Sequence, residues 1–402
     1  MRVLIFAQYF PPEVGAGQTR VHTFAAGLAA RGHEVEVICE APNHPQGVFQ
    51  PGYGERLVDR RELDGFEVAY VRVLTGERKT FATRLGLYGS YVAGATVVGL
   101  AAKRPDAIFA SSPPLPDAIP AAVAAARHRC PWVLDVRDLW PEAAVAMGQL
   151  SSPRAVALVA RLARTLYARA DAITTVTEPF RAAIAALTPD ADKIELLPNG
   201  TTRFWLGAHE IRVTRDEMEL PRDGFLWTYA GNMSAAQGLA SAVEAARLLG
   251  DDFHLLLVGE GPEREQLQRQ AAAAPAGSVI FRRQVGPPEA ARLLRASDAL
   301  LVQLADQAAL RDFVPSKLYD CCAVGRPVVV AAAGEATRLA EAASAGLPVP
   351  PGDAQALADA VRALRDDQTL AGRLVAAGRE FAEANVRDRQ VERLEELLST
   401  LR

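Results

Sequence analysis

The sequence has no excess of charge of one sign: 44 basic residues face 48 acidic ones in 402 residues, a formal net charge of -4. The two signs are mixed along the chain, so the basic footprint of a nucleic-acid binder is missing and nucleic acid is not an expected partner. Cysteine is scarce as well. Cys39, Cys130, Cys321 and Cys322 have no metal-ligand spacing, and the adjacent pair suits neither a zinc knuckle nor an ordinary disulfide. That fits a reducing cytoplasm. Long apolar runs are nearly absent. Val3 to Ala7 is too short for a signal-peptide core, so secretion is not expected. The one extended uncharged stretch, Leu85 to Ala102, has eighteen residues diluted by four glycines and is flanked by Arg84, Lys103 and Arg104. This length is at the short limit for a membrane span. Packing against a sheet is its ordinary reading, and contact with a membrane surface its functional one. Lysine is the rarest charge: four residues against forty arginines, one of them Lys317.

What is present is α/β alternation. Apolar runs at Val3–Ala7, Val35–Ile38, Ala107–Ala110, Trp132–Asp135 and Ala172–Thr175 alternate with Ala-rich helical stretches. The pattern returns at Phe225–Tyr229, His254–Val258, Val279–Phe281, Ala299–Gln303 and Pro327–Val330. Two parallel, doubly wound sheets are expected, with a cleft between them, since such sheets bind ligands beyond the carboxyl ends of their strands. Turn residues after Leu197 and a weakly periodic stretch to Asp223 place a linker at residues 201–223, between domains of residues 1–200 and 224–380. Val391, Leu394, Leu398 and Leu401 recur at helical spacing in a terminal helix over residues 381–402.

Four segments could carry chemistry. Gly15 and Gly17 follow the first strand, where a backbone can approach a ligand closely, but the spacing is not G-x-G-x-x-G. Asp135, Arg137, Asp138 and Glu142 lie just past a buried strand, either as polar working groups or as a surface turn with a local ion pair. Gly231, Asn232 and Gln237 stand where the first strand of the second half opens into a helix, and Gly259 and Gly261 repeat the arrangement one unit later. The strongest signal is Asp312-Phe-Val-Pro-Ser-Lys-Leu-Tyr-Asp320. Pro315 suits a first helical turn, so the amides of Ser316, Lys317 and Leu318 would face an anion, with Lys317 adding its charge. A solvated lysine is the plain alternative.

In shared order, Pro11-Pro12, Arg31-Gly-His-Glu-Val35, Leu134-Asp-Val-Arg-Asp-Leu-Trp-Pro-Glu142, Leu197-Pro-Asn-Gly200, Tyr229-Ala-Gly231, Val258-Gly-Glu-Gly-Pro262 and Pro315-Ser-Lys-Leu-Tyr319 resemble the family-4 retaining glycosyltransferases of bacterial surface-polysaccharide synthesis. The resemblance implies a GT-B fold. Its first domain would take a glycan or lipid-linked acceptor, its second would hold the nucleotide sugar, and the last helix would return to the first domain. The family's E-x7-E carboxylates fall on Asp312, near the transferred sugar, and Asp320, on the ribose, each shorter than Glu by about 1.5 Å. Where many relatives hold the diphosphate with Arg and Lys, this chain has Asn232 and Gln237. The resemblance therefore shifts that role to Lys317 and the helix amides, with Arg311 as helper. Val285 matches a nucleobase contact, and Asp138 a polar position near the donor sugar or acceptor. UDP is the implied nucleotide, and the nucleotide sugar is a substrate, so no cofactor or metal is implied. A sugar-nucleotide epimerase of the same fold and a non-catalytic nucleotide-sugar binder are the competing readings. The implied location is the cytoplasm, at the inner face of the cytoplasmic membrane where Leu85–Ala102 would make peripheral contact.

Overall fold

A computed structural model describes the chain except residues 14, 44–45, 78–79, 147 and 149 and the side chains of residues 81 and 146. It divides into two compact units, Met1–Asn199 with Asp388–Arg402, and Gly200–Arg387. Arg78 and Lys79, which precede the uncharged stretch in sequence, lie outside the described residues.

The first unit holds β1 (Arg2–Phe6), β2 (Glu34–Glu40), β3 (Val58–Leu63), β4 (Phe66–Val71), β5 (Ala107–Ser112), β6 (Trp132–Val136), β7 (Ala172–Thr175) and β8 (Ile194–Leu196). Their order is β3-β4-β2-β1-β5-β6-β7-β8. All pairs are parallel except β3 with β4, which corrects the expectation of a purely parallel sheet. The hairpin escaped the sequence reading because β3, Val-Asp-Arg-Arg-Glu-Leu, is an edge strand that carries charge on both faces. Central strands are covered on both faces and so consist of unbroken apolar residues: Val3, Leu4, Ile5 and Phe6 of β1 are all buried.

Glycine decides how the uncharged stretch packs. The helix Phe81–Ala101 lies on this sheet, and a Cβ at Gly99 would sit 2.7 Å from Cζ of Phe6, so only glycine lets the helix come this close. Tyr91, Ala95 and Val98 are buried beneath it, whereas Ala82, Leu85, Gly89, Ala93, Val97 and Leu100 form an exposed stripe without a polar side chain. Among the described residues no helix is long and apolar enough to cross a membrane. The terminal helix Arg387–Leu401 buries Val391, Leu394 and Leu398 in the first unit's core beside Phe24 and Leu28. Gly27 makes room for it, since a Cβ there would lie 2.7 Å from Cγ2 of Val391.

The second unit holds β9 (Phe225–Ala230), β10 (Phe253–Val258), β11 (Val279–Arg282), β12 (Ala299–Gln303), β13 (Val328–Ala331) and β14 (Leu347–Val349), all parallel, in the order β11-β10-β9-β12-β13-β14. The chain runs outward from β9 through β10 to β11, then crosses to β12 on the other side of β9. Loops leaving β9 and β12 therefore diverge and open a crevice at the carboxyl edge.

Candidate functional site

Lys317 stands at that crevice. The helix Lys317–Val324 follows the β12 loop, and the Lys317 ammonium turns back to the loop that leaves β9. It donates to the Tyr229 hydroxyl at 2.6 Å and to Gln237 Oε1 at 3.2 Å, and it lies 3.9 Å from the Tyr229 ring centroid. A Cβ at Gly231 would fall 2.6 Å from Nζ, so glycine at 231 is what admits the ammonium. Gly231 in turn leaves no space for a side chain at Gly259, whose φ of +144° already favours glycine. Among the described residues no carboxylate pairs with Lys317. Burial pushes its pKa down to about 8, opposed by Cys321. The structure thus joins Gly231, Gln237 and Lys317 around a cation that has no anionic partner among the described residues. Tyr229, which the sequence reading left out, is its main partner; its signal was the strand-end position two residues before Gly231.

The helix start differs in part from expectation. Leu318 N already donates to Pro315 O at 2.9 Å and the Leu318 side chain is buried, so its amide is no anion donor: a tight first turn has satisfied it. The amides of Ser316 and Lys317 have no hydrogen-bond partner among the described residues. Asn232 is exposed, with its carbonyl accepting from the Tyr229 hydroxyl at 2.7 Å. Val285 packs beside Met218, Leu220 and Leu226 after β11, on the other side of β10 from the lysine.

The two aspartates have different surroundings. Asp312 is exposed in the β12 loop, without a hydrogen bond or ion pair to a described residue, and Arg311 turns to Asp306 at 3.3 Å. Asp320 instead accepts from Thr201 Oγ1 at 2.7 Å. Burial pushes its carboxyl up to about 6, against the pull of Arg387 and the Thr201 bond. Thr201 itself is held by the crossing backbone, donating to Asn385 O at 2.9 Å and accepting from Arg387 N at 2.8 Å. One oxygen of Asp320 therefore has a structural partner that motif spacing could not reveal.

Gly15, Gly17 and Asp138 belong to the first unit. Gly15 precedes the helix Ala16–Ala30, and a Cβ at Gly17 would collide with the Arg137 guanidinium. Arg137 donates from Nε to Ser111 Oγ at 3.0 Å. Asp138 has no hydrogen-bond partner among the described residues, and burial pushes it up to about 6 although Arg137 opposes this. Asp135, by contrast, is wholly structural. Fully buried, it accepts from Arg20 at 2.9 and 3.1 Å, Ser111 at 2.9 Å and Thr174 at 2.8 Å.

These features were compared with known proteins. Residues 15–200 match the glycosyl transferase 4-like domain and residues 224–367 the glycosyl transferases group 1 family. The Escherichia coli K12 protein named as a colanic acid biosynthesis glycosyl transferase, WcaI, is 26% identical over 343 residues, 83% of each chain. The lipopolysaccharide core biosynthesis glycosyltransferase LpsD of Rhizobium meliloti is 29% identical over 169 residues, 42% of this chain and 47% of its own. Among solved structures, sucrose-phosphate synthase from Thermosynechococcus elongatus superposes with a TM-score of 0.74 at 19% identity, covering 100% of this chain and 98% of that one. Anabaena HepE in complex with UDP-glucose has a TM-score of 0.70 at 17% identity, with all of both chains covered. Two α/β units on largely parallel sheets, matched in sequence by both domain families and in fold by these enzymes, place the chain among the GT-B glycosyltransferases that join a glycosyl transferase 4-like domain to a group 1 domain.

Proposed function

We propose that the protein transfers a sugar from a UDP-sugar, with retention and without a metal, to a lipid-linked glycan of a cell-surface polysaccharide. The observation that carries this reading is the Lys317 ammonium, half-buried at a sheet's switch point with hydroxyl and amide partners and, among the described residues, no carboxylate. A diphosphate supplies the missing charge. As the glycosidic bond breaks, negative charge grows on the leaving phosphate, where Lys317 and the amides of Ser316 and Lys317 stabilise it most. The phosphate takes the acceptor proton in a front-face attack, and Asp138 orients the acceptor or donor sugar. WcaI and LpsD, named for polysaccharide and lipopolysaccharide synthesis, support the pathway, and the UDP-glucose complex of HepE supports the nucleotide. Radiolabelled UDP-sugars incubated with a lipid extract containing polyprenyl-diphosphate glycans test the reading. Label should enter lipid only when the extract is present. Turnover of the nucleotide sugar alone points to an epimerase, and binding without turnover to a carrier.

Asp320 holds the ribose and Asp312 bears on the transferred sugar, so their alanine variants should fail differently. Asp320→Ala should weaken UDP and UDP-sugar alike by about tenfold, the scale of a charged hydrogen bond. Asp312→Ala should spare UDP. Thr201→Val removes only the structural partner of Asp320 and should keep UDP affinity. Calorimetry with both ligands decides. Equal losses in the Asp312 variant, or none in the Asp320 variant, would reverse the assignment.

The exposed apolar stripe from Ala82 to Leu100, continued by exposed Lys103 and Arg104, rests on an anionic membrane and brings the first unit to its acceptor. Sedimentation with phosphatidylglycerol vesicles should fall sharply for Leu85→Glu with Val97→Glu. Making Lys103 and Arg104 neutral should remove its salt dependence. Unchanged sedimentation in both variants would refute the contact.

A further inference from the structure

We propose that Gln8, Glu40 and Asp117 form a buried polar cluster in the first unit that takes a hydroxyl of the acceptor sugar. This rests on the transferase reading and deepens it.

The first sheet has a switch point of its own. From β1 the chain proceeds to β2 and β4 on one side and returns to β5 on the other, so the loops leaving β1 and β5 diverge. Gln8 lies in the first loop, Asp117 in the short turn Leu115–Asp117 after β5, and Glu40 ends β2. One network links them. Gln8 N donates to Asp117 Oδ2 at 3.0 Å, and Gln8 Nε2 donates to Glu40 Oε2 at 2.6 Å. Asn43 Nδ2 donates to Glu40 Oε1 at 2.8 Å.

These bonds pin the loops but do not use every atom. Gln8 is 1% exposed and Asp117 0%, yet Gln8 Oε1 and Asp117 Oδ1 have no hydrogen-bond partner among the described residues. Folded proteins rarely leave such buried atoms unmet without a reason. Gln8 Oε1 accepts a hydrogen bond, and Asp117 Oδ1 accepts one or, with its carboxyl protonated, donates one, so the fitting group both donates and accepts. Neither Glu40 nor Asp117 forms an ion pair with a described residue, although Arg137 acts on Asp117 through space. Burial pushes Glu40 up to about 8 despite its two amide donors, and pushes Asp117 well above the usual carboxylate range. A phosphate would meet these acceptors with its own negative oxygens. A neutral hydroxyl satisfies them without moving a proton. Tyr9 and Tyr88, hydrogen-bonded to each other and electrostatically coupled to Glu40 and Asp117, add aromatic faces of the kind that pack against sugar C–H groups.

The test uses saturation-transfer NMR with methyl α-glucoside, methyl α-galactoside, methyl α-mannoside and glucosamine, on the wild type and on Gln8→Met and Asp117→Asn. UDP binding by calorimetry runs alongside. At least one methyl glycoside should bind the wild type, and each variant should bind it about tenfold more weakly, as for one lost hydrogen bond to a buried polar group, with UDP affinity unchanged. Should Asp117→Asn fail to fold, Gln8→Met, nearly isosteric, decides alone. No transfer to any glycoside, or equal transfer in wild type and variants while UDP still binds, would overturn this role of the cluster. Glucosamine bound at least tenfold more tightly than methyl glucoside would overturn the neutral-hydroxyl assignment in favour of a cation. Loss of UDP binding by the wild type would count against the transferase reading instead.

Discussion

Lys317→Ala should weaken UDP-sugar binding and slow transfer together by about 1.5–3 kcal/mol, tenfold or more, the range for a hydrogen bond to a charged group. Among the described residues the side chain bonds only to Tyr229 and Gln237, both neutral, so its removal strands no described carboxylate, and the melting temperature should change little. A pH signature accompanies the loss. Burial sets the ammonium of the empty protein at about 8, so below that value the charge is in place before the donor arrives. Above it the donor must bind a neutral amine and draw a proton from solvent. Affinity should therefore be flat below pH 7 and fall as pH rises past 8, by up to about tenfold per unit. Calorimetric titration of UDP from pH 6.5 to 9.5 checks this. A fall of the same size in Lys317→Ala would show that another group titrates.

Arg20→Met should destabilise the fold by about 3–5 kcal/mol, because it removes the hydrogen-bonded cation of buried Asp135 and leaves only Arg137, 3.7 Å away. Arg20 is 1% exposed, and besides its two bonds to Asp135 it donates to Pro198 O at 3.0 Å and Leu197 O at 2.8 Å. Burial pushes Asp135 up, but Arg20, Arg137 and the Thr174 hydroxyl outweigh it and hold the carboxyl below its ordinary value. In the wild type this contribution is present above the unfolded carboxylate's pKa and is lost as pH falls through the depressed folded value. In the variant burial is opposed only by Arg137 and the hydroxyl donors, so the folded value rises above the unfolded one and the sign reverses. The deficit should be largest at neutral pH and shrink toward pH 5. Urea unfolding at pH 7.5 and pH 5 measures both. A deficit that is under 1 kcal/mol at pH 7.5, or that grows on acidification, would contradict the argument.

The strands legible in the sequence were the central ones. Covered on both faces, Ala299–Gln303 and Ala172–Thr175 are unbroken apolar or small runs and were placed to the residue. Three edge strands were missed, since β3 carries four charged residues in six and β8 and β14 have three residues each; the edge strand β11 was found, and the interior strand β4, paired to β3 in a hairpin, was not. Lys317 was legible from its rarity and its place after Pro315. Its partner was not, because Tyr229 precedes it by 88 residues and meets it only where β9 and β12 lie side by side.

Local sequence by itself determined the α/β class, most of the buried strands and the residue types around Lys317. Periodicity and turn chemistry act over a few residues and need no distant partner. Only tertiary structure decided which charges are free to act. Asp135 and Asp138 stand three residues apart in one motif, yet Asp135 is consumed by Arg20, Ser111 and Thr174 while Asp138 keeps its carboxylate unbonded among the described residues. Asp320 likewise takes a hydrogen bond from Thr201, 119 residues away. A side chain's chemistry depends on its burial and on the partners left to it, and the packing of helices on sheets supplies those partners from residues a hundred or more positions away.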